Sequence, residues 1–253
     1  MENNRIHLSK EEFERYEVHY PCNSVIVEVE YNKDIVTKTG IKVNFNEDTL
    51  YEEGTDSHIA DMAHVVGIIV KQPERLYFNM RDIKSMSWEC DLETQVGDMV
   101  WSHALNTKNA PEIMVDDRLY QTWPYEDLFV AKRIVKKDLI QTSYLSKEIL
   151  YQSIIPLNGN VILKTVYKDR LSELDNLPPE IDPTRGIVKW NGSDNKRYQA
   201  RGVADMQGLK EGDLVVIDKN TYPIYLERNK YNATFDDGNL YYAIQKRHIL
   251  GVI

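Results

Sequence analysis

Six histidines and two cysteines carry most of the reactive chemistry this chain could offer, and their spacing decides what they could do. His58, Asp61 and His64 recur at intervals of three in His58-Ile59-Ala60-Asp61-Met62-Ala63-His64. On a helix that spacing sets them near one face, where two imidazoles and a carboxylate could hold a divalent metal. No further ligand is evident, and the segment lies between a polar stretch and a strand pattern, so no metal is expected. Cys22 and His19 have the residue types of a nucleophile–base dyad, but a dyad needs spatial juxtaposition and an oxyanion hole, which nearness in sequence does not provide. His103, just after Trp101, reads as a strand-end residue. Asp116-Asp117 and Asp236-Asp237-Gly238-Asn239 are acid pairs without the twelve-residue calcium-loop pattern, and Asp-Gly-Asn reads as a hairpin turn. Trp88, Trp101, Trp123, Trp190 and the pair Tyr241-Tyr242 could stack bases as an OB-type barrel does. Alternating aromatics in strands are more often core or interface. No G-x-x-x-x-G-K-[ST], G-x-G-x-x-G, H-E-x-x-H or H-x-E with C-x-x-C motif occurs. Phosphate-cradling loops and zinc catalysis therefore have no sequence support. The expectation is a protein without catalytic residues or cofactor, not an enzyme.

The bulk properties agree. In 253 residues, 42% are hydrophobic and 28% charged, which supports a packed core and excludes a mostly disordered chain. Forty acidic residues against 31 basic ones give a net charge of -9, which repels phosphate backbones and anionic membranes. No nucleic-acid and no membrane partner is expected. No apolar run approaches the length of a spanning helix. The first twenty residues are polar and charged, without the apolar core of a signal peptide. Two isolated cysteines suit a reducing compartment, and a cytoplasmic location is expected.

The elements that must position these side chains read as β. Segments rich in Val and Ile, bounded by Gly, Asp, Asn or Pro, recur along the chain. They also rhyme. Val25-Ile26-Val27 matches Val161-Ile162-Leu163 at an offset of 136, and Gly67-Ile68-Ile69-Val70 matches Gly186-Ile187-Val188-Lys189 at 119. Val96-Gly97-Asp98-Met99-Val100 matches Glu211-Gly212-Asp213-Leu214-Val215 at 115, and Leu128-Phe129-Val130-Ala131 matches Ile249-Leu250-Gly251-Val252 at 121. Four matches in one order suggest a duplication. In each copy a Gly-Asp pair precedes an apolar run, a tight turn feeding a strand. Ser9 with Glu12 predicts a capping box on a short helix, and Ser146-Lys147-Glu148-Ile149-Leu150 predicts a second short helix.

The order of these segments resembles the small co-chaperonin family (chaperonin-10, GroES-like): a proline before a Val/Ile strand, a Gly-Ile loop, a Gly-x-Ile strand, a Val-Gly-Asp strand and a closing Asp-Ile-Leu-like strand. In the first half these are Pro21 with Val25-Ile26-Val27, then Gly40-Ile41, Gly67-Ile68-Ile69, Val96-Gly97-Asp98 and Asp127-Leu128-Phe129-Val130. In the second half they are Pro156-Leu157 with Val161-Ile162-Leu163, then Gly186-Ile187-Val188, Gly212-Asp213-Leu214 and His248-Ile249-Leu250. The resemblance implies an all-β chain of two tandem GroES-like, partly open β-barrels joined by a short connector. The expected division is an N-terminal extension over 1–20, a first barrel over 21–133, a connector over 134–155 and a second barrel over 156–253.

The resemblance also implies function. Family members form rings by pairing terminal strands between subunits and cap a large chaperonin, which itself binds the ATP. Val25, Ile26, Val27, Ile249, Leu250 and Val252 are the expected strand residues of such oligomer edges. An apolar edge at 249–253 would need a partner in any case, because an unpaired edge invites aggregation. The family docks through a mobile loop, which corresponds here to the stretch from Gly40 to about Ala63, with Gly40, Ile41, Val43 and Phe45 as the docking residues. Lys42 stands where the family carries an apolar side chain, and the second half has no equivalent loop. The expected partners are thus a large chaperonin and further copies of this chain. The other reading is a structural ring component, for example of a virus particle, that uses the same barrels without a chaperonin.

Overall fold

Valine and isoleucine set the architecture. Their branched side chains fit a pleated, half-buried surface, and most of the segments they dominate are strands. A computed structural model describes residues 5–18, 23–29, 35–36, 42–43, 64–79, 87–103, 107, 110–141, 146–168, 180–194, 208–221, 223–226 and 239–253. In chain order the elements begin with β1 (Arg5–Leu8), α1 (Lys10–Arg15), β2 (Ser24–Val29), β3 (Ile35–Val36), β4 (Lys42–Val43), β5 (His64–Lys71), β6 (Leu76–Asn79), β7 (Ser87–Cys90) and β8 (Met99–His103). They continue with β9 (Glu112–Val115), β10 (Arg118–Pro124), β11 (Leu128–Gln141), β12 (Ser146–Pro156), β13 (Asn160–Tyr167), β14 (Ile181–Asn191), β15 (Leu214–Ile217), β16 (Ile224–Tyr225), β17 (Tyr241–Gln245) and β18 (Ile249–Val252). Among the described residues the elements are β-strands apart from α1 and two short 3-10 turns. That helix carries the capping box its sequence predicts: Ser9 Oγ accepts from the Glu12 amide at 3.2 Å, and the Glu12 carboxylate accepts from the Ser9 amide at 2.8 Å.

Two sheets hold most of the strands. One has eight, in the order β1-β9-β10-β2-β5-β8-β11-β12; the other has six, in the order β16-β17-β13-β14-β15-β18. Both are open. Within them, β10-β2-β5-β8-β11 and β17-β13-β14-β15-β18 are the same five-strand arrangement, antiparallel throughout. The likeness extends to single residues. Val70 is bulged between the pairs Ile26–Lys71 and Val27–Ile69, and Lys189 between Ile162–Trp190 and Leu163–Val188. Phe129 is bulged on β11 and Leu250 on β18. Each bulge recurs at the offset read from the sequence.

The Gly-Asp turns recur too. Gly97 has φ +94° and Gly212 φ +91°, a region that favours glycine. The Gly97 amide donates to Ile69 O and the Gly212 amide to Val188 O, both at 2.8 Å. Asp98 accepts from the Gln95 amide at 2.9 Å, as Asp213 does from the Lys210 amide at 2.7 Å. Inside the first sheet, Val25, Val27, Ile69, Val100, Trp123 and Leu128 form a buried core; their counterparts Val161, Leu163, Val188, Val215, Ile244 and Ile249 form the core of the second.

Two expectations are corrected. Residues 146–150 are not a helix but the start of β12, which pairs antiparallel with β11 from Gln141–Ser146 to Val130–Pro156. Five residues make too short a helix to stand alone, and the long ladder wins. Residues 134–141 and 146–155 of the stretch drawn as a connector therefore lie in β11 and β12. Second, Val25, Ile26 and Val27 are not on an edge: β2 pairs with β10 on one side and β5 on the other, and all three residues are buried. The edge position was what the resemblance implied, and β10 takes the side of β2 that it left open.

Candidate functional site

Among the described residues, the side chains singled out for chemistry do not converge. Residues 19, 22, 58, 61 and 236–238 lie outside the described part, and only the backbone of His64 is described, on β5. Among the described residues no group of three or more His, Cys, Asp or Glu could hold a metal. Asp116, with φ +52°, and Asp117 form the turn between β9 and β10. Trp101 and Trp123 are core residues, and Trp190 packs on Tyr241 with ring centroids 5.3 Å apart. Among the described residues no helix is long and apolar enough to cross a membrane.

A cleft of about 350 Å³ lies where the two sheets meet, lined by His103, Asp127, Asn160, Thr221, Gln245 and His248 among others. Burial raises the Asp127 carboxyl above its ordinary range, Glu126 adds to this and His103 opposes it. Burial also lowers the His248 imidazole, helped by Arg247 and opposed by Asp218. The cleft therefore gathers groups that titrate across the junction.

The junction itself is built from the stretch that leads into β13. Leu157, fully buried, belongs to the core of the first sheet although it precedes the first strand of the second. Its amide donates to Phe129 O at 2.9 Å. Asn158 follows, with φ +52°, then Gly159 with φ +74°, and the Asn160 amide donates back to Leu157 O at 3.0 Å. This is the Asn-Gly turn that hairpins favour. The Asn158 side-chain amide, buried, donates to Tyr125 O at 2.7 Å and to Leu128 O at 2.8 Å. Glu93 adds a second tie: it accepts from Tyr125 Oη at 3.4 Å and from Ser193 Oγ, just past β14. The sequence analysis named Leu157 only within the proline-led motif and passed over Glu93, Asn158, Gly159 and Ser193. The Asn158-Gly159 dipeptide was the one available signal.

Among the described residues the sheets end at β1 and β12 for the larger and at β16 and β18 for the smaller. On β18, Ile249 is buried, whereas Leu250 and Val252 are 67% and 50% exposed, and Ile253 is 69% exposed. β18 pairs with β15 and, among the described residues, with no other strand. Ile249, Leu250 and Val252 lie on the last strand of the smaller sheet among the described residues. Of the docking-loop residues, Val43 lies in β4, which pairs with β3 through Ile35–Val43 and Val36–Lys42. Gly40, Ile41 and Phe45 lie outside the described residues. Comparison with protein-family models and with curated proteins gives no match.

Proposed function

We propose that the chain is a tandem co-chaperonin-like protein. Two GroES-like, partly open barrels in one chain assemble with further copies into a ring that caps a large chaperonin and assists protein folding, with ATP held by the chaperonin. The observation that carries this reading is the five-strand arrangement repeated from β10-β2-β5-β8-β11 in β17-β13-β14-β15-β18, with its bulges and Gly-Asp turns in register. Such a unit has the segment order of the resembled family, and the exposed residues on β18 give it a strand edge suited to assembly. Docking falls to Gly40, Ile41, Val43 and Phe45. Each loop contact is weak, because a loop that orders on binding loses much of the contact energy, and several loops in a ring restore avidity.

The test mixes the protein with a large chaperonin and ATP. Co-sedimentation and protease protection over residues 40–63 are expected, and Ile41→Asp is expected to abolish both. Absence of a complex would reject the capping role. A second reading, a structural ring component without a chaperonin partner, is favoured by the pairing of β3 with β4, which places Val43 in a strand, and by the charge of Lys42 beside Ile41.

A further inference from the structure

We propose that the cleft between the two sheets binds a small organic cation, a primary ammonium carried on a short apolar chain. The inference goes beyond the ring reading and does not depend on it. Two carboxylates, Glu126 and Asp127, line the cleft, and among the described residues no Lys or Arg does. The net charge of -9 on the whole chain favours a cation further. No three of the described His, Cys, Asp and Glu residues are placed to hold a metal ion, so the cation that fits is an organic one.

The internal repeat explains how these groups come together. Asp127 ends the 3-10 turn Tyr125–Asp127, and His248, its counterpart at the offset of 121, ends the 3-10 turn Lys246–His248. His103 and Asp218 also correspond, at the offset of 115. Each directly follows the residue that pairs with the start of the last repeated strand: Ser102 with Leu128, and Ile217 with Ile249. Each half therefore holds one acid and one imidazole at the same two positions, with the types exchanged. His103 favours the charged form of Asp127, and Asp218 favours that of His248. The cleft receives Asp127 from one turn and His248 from the other. Burial and Arg247 hold His248 below its ordinary 6.5, so at neutral pH this imidazole adds no positive charge to the lining.

Thr221 adds an independent feature. Its Oγ1 is buried and, among the described residues, has no hydrogen-bond partner. A buried hydroxyl left unpaired is rare and costly. Its backbone is tied to the second turn: the Thr221 amide donates to Asp218 O and the Asp218 amide to His248 O, both at 2.9 Å. Gln245 donates from Nε2 to Asn160 Oδ1 at 3.1 Å, which leaves its Oε1 as an acceptor in the same lining. An ammonium has three N–H donors and no acceptor. The Asp127 carboxylate, Thr221 Oγ1 and Gln245 Oε1 are three matching partners. Burial and repulsion from Glu126 oppose the Asp127 charge, and a bound cation offsets both. Beside them Phe129, Ile224 and Ala243, from a core cluster shared by the two sheets, offer an apolar wall to the hydrocarbon chain.

The test is saturation-transfer difference NMR on the full chain at neutral pH, with n-butylammonium, n-butanol and butyrate as probes. The ammonium is expected to half-saturate at about 1–10 mM, with the alcohol and the carboxylate at least tenfold weaker. Asp127→Asn is expected to weaken the ammonium about tenfold and Thr221→Val about fivefold, with circular dichroism unchanged. The methylamide of acetylated lysine separates the sources of the group: binding of n-butylammonium alone assigns a free amine, and binding of the lysyl probe alone assigns a lysine side chain of another protein. No saturation by either cation, or equal binding of n-butanol, would overturn the inference. Ammonium binding left unchanged by both substitutions would also overturn it, because that is what attraction to the acidic surface alone would give. Should a variant misfold, the comparison of probes on the wild type decides.

Discussion

The Asp98 carboxylate, whose side chain is 1% exposed, takes the Arg133 guanidinium on both oxygens: Nε at 2.9 Å and Nη2 at 2.7 Å. Asp98 closes the Gly-Asp turn, and Arg133 lies just past the β11 residues that repeat in β18. The arginine also donates to Glu93 O at 3.0 Å, so it ties the turn to the segment before it. Asp98 raises the Arg133 pKa further above its ordinary value, against the cost of burial. Asp213 occupies the same turn in the second half, accepting from the Lys210 amide.

Arg133→Ala is therefore expected to destabilise the fold by about 2 kcal/mol, because it leaves a buried carboxylate partly unpaired while solvent reaches the vacated site. Arg133→Lys should recover less than half of that loss, since an ammonium cannot grip both oxygens. Asp213→Ala should cost only about 1 kcal/mol, the value of one turn hydrogen bond. Urea midpoints of the three variants check the order, and equal costs for Arg133→Ala and Asp213→Ala would refute it.

Gly186 shows how closely the repeated strands approach. A Cβ built there would lie 2.4 Å from Tyr242 Oη and 2.8 Å from Leu163 Cδ1. The Tyr242 hydroxyl is fixed by donating to Arg185 O at 3.0 Å, so it cannot retreat without losing that bond. Gly186→Ala is expected to cost about 1–3 kcal/mol and to lower Tm by several degrees. Gly251, where an added Cβ meets nothing within 4 Å, provides the control, and Gly251→Ala should leave Tm unchanged.

Leu157 tests whether the two halves unfold together. It is fully buried in a core otherwise supplied by the first half, yet it precedes β13 by three residues. Leu157→Ala should cost about 2–5 kcal/mol through the cavity it opens. Calorimetry is expected to show one transition in the wild type and a broadened or split one in the variant, because the guest side chain couples the cores. A sharp single transition at lower temperature would show that coupling runs elsewhere, through Asn158 and the β11–β12 ladder.

Legibility in the sequence followed the range of the interactions. Local signals were readable: the capping box at Ser9 and Glu12, the Gly-Asp turns, and the apolar runs of β2 and β13. The repeat was readable because bulges and turns keep their offsets even where side chains diverge. One such divergence is Tyr125, whose counterpart is Lys246, buried and donating to Gly192 O at 2.5 Å. What depends on distant partners was not readable. Ser146–Leu150 has no period long enough to separate helix from strand, and only β11 decides it. The interior place of β2 depends on β10, some ninety residues away. The parallel pairing of β1 with β9 had no local signal either.

The cleft between the sheets gives the fold a pH dependence. Burial, then Arg247, hold the His248 pKa below its ordinary 6.5, and Asp218 only partly offsets them. The unfolded chain therefore binds more protons than the folded one below that value, and stability gained through His248 is complete above about pH 6.5 and declines as the pH falls through the folded value. Asp127 across the cleft acts the other way in a lower window. Its pKa is raised above 3.8, so between 3.8 and the raised value the folded chain binds more protons, and acidification there restores stability. Urea midpoints should thus fall between about pH 7.5 and about pH 5.5 in the wild type, and His248→Gln should flatten that slope. A slope that survives His248→Gln would locate the titrating group outside this imidazole.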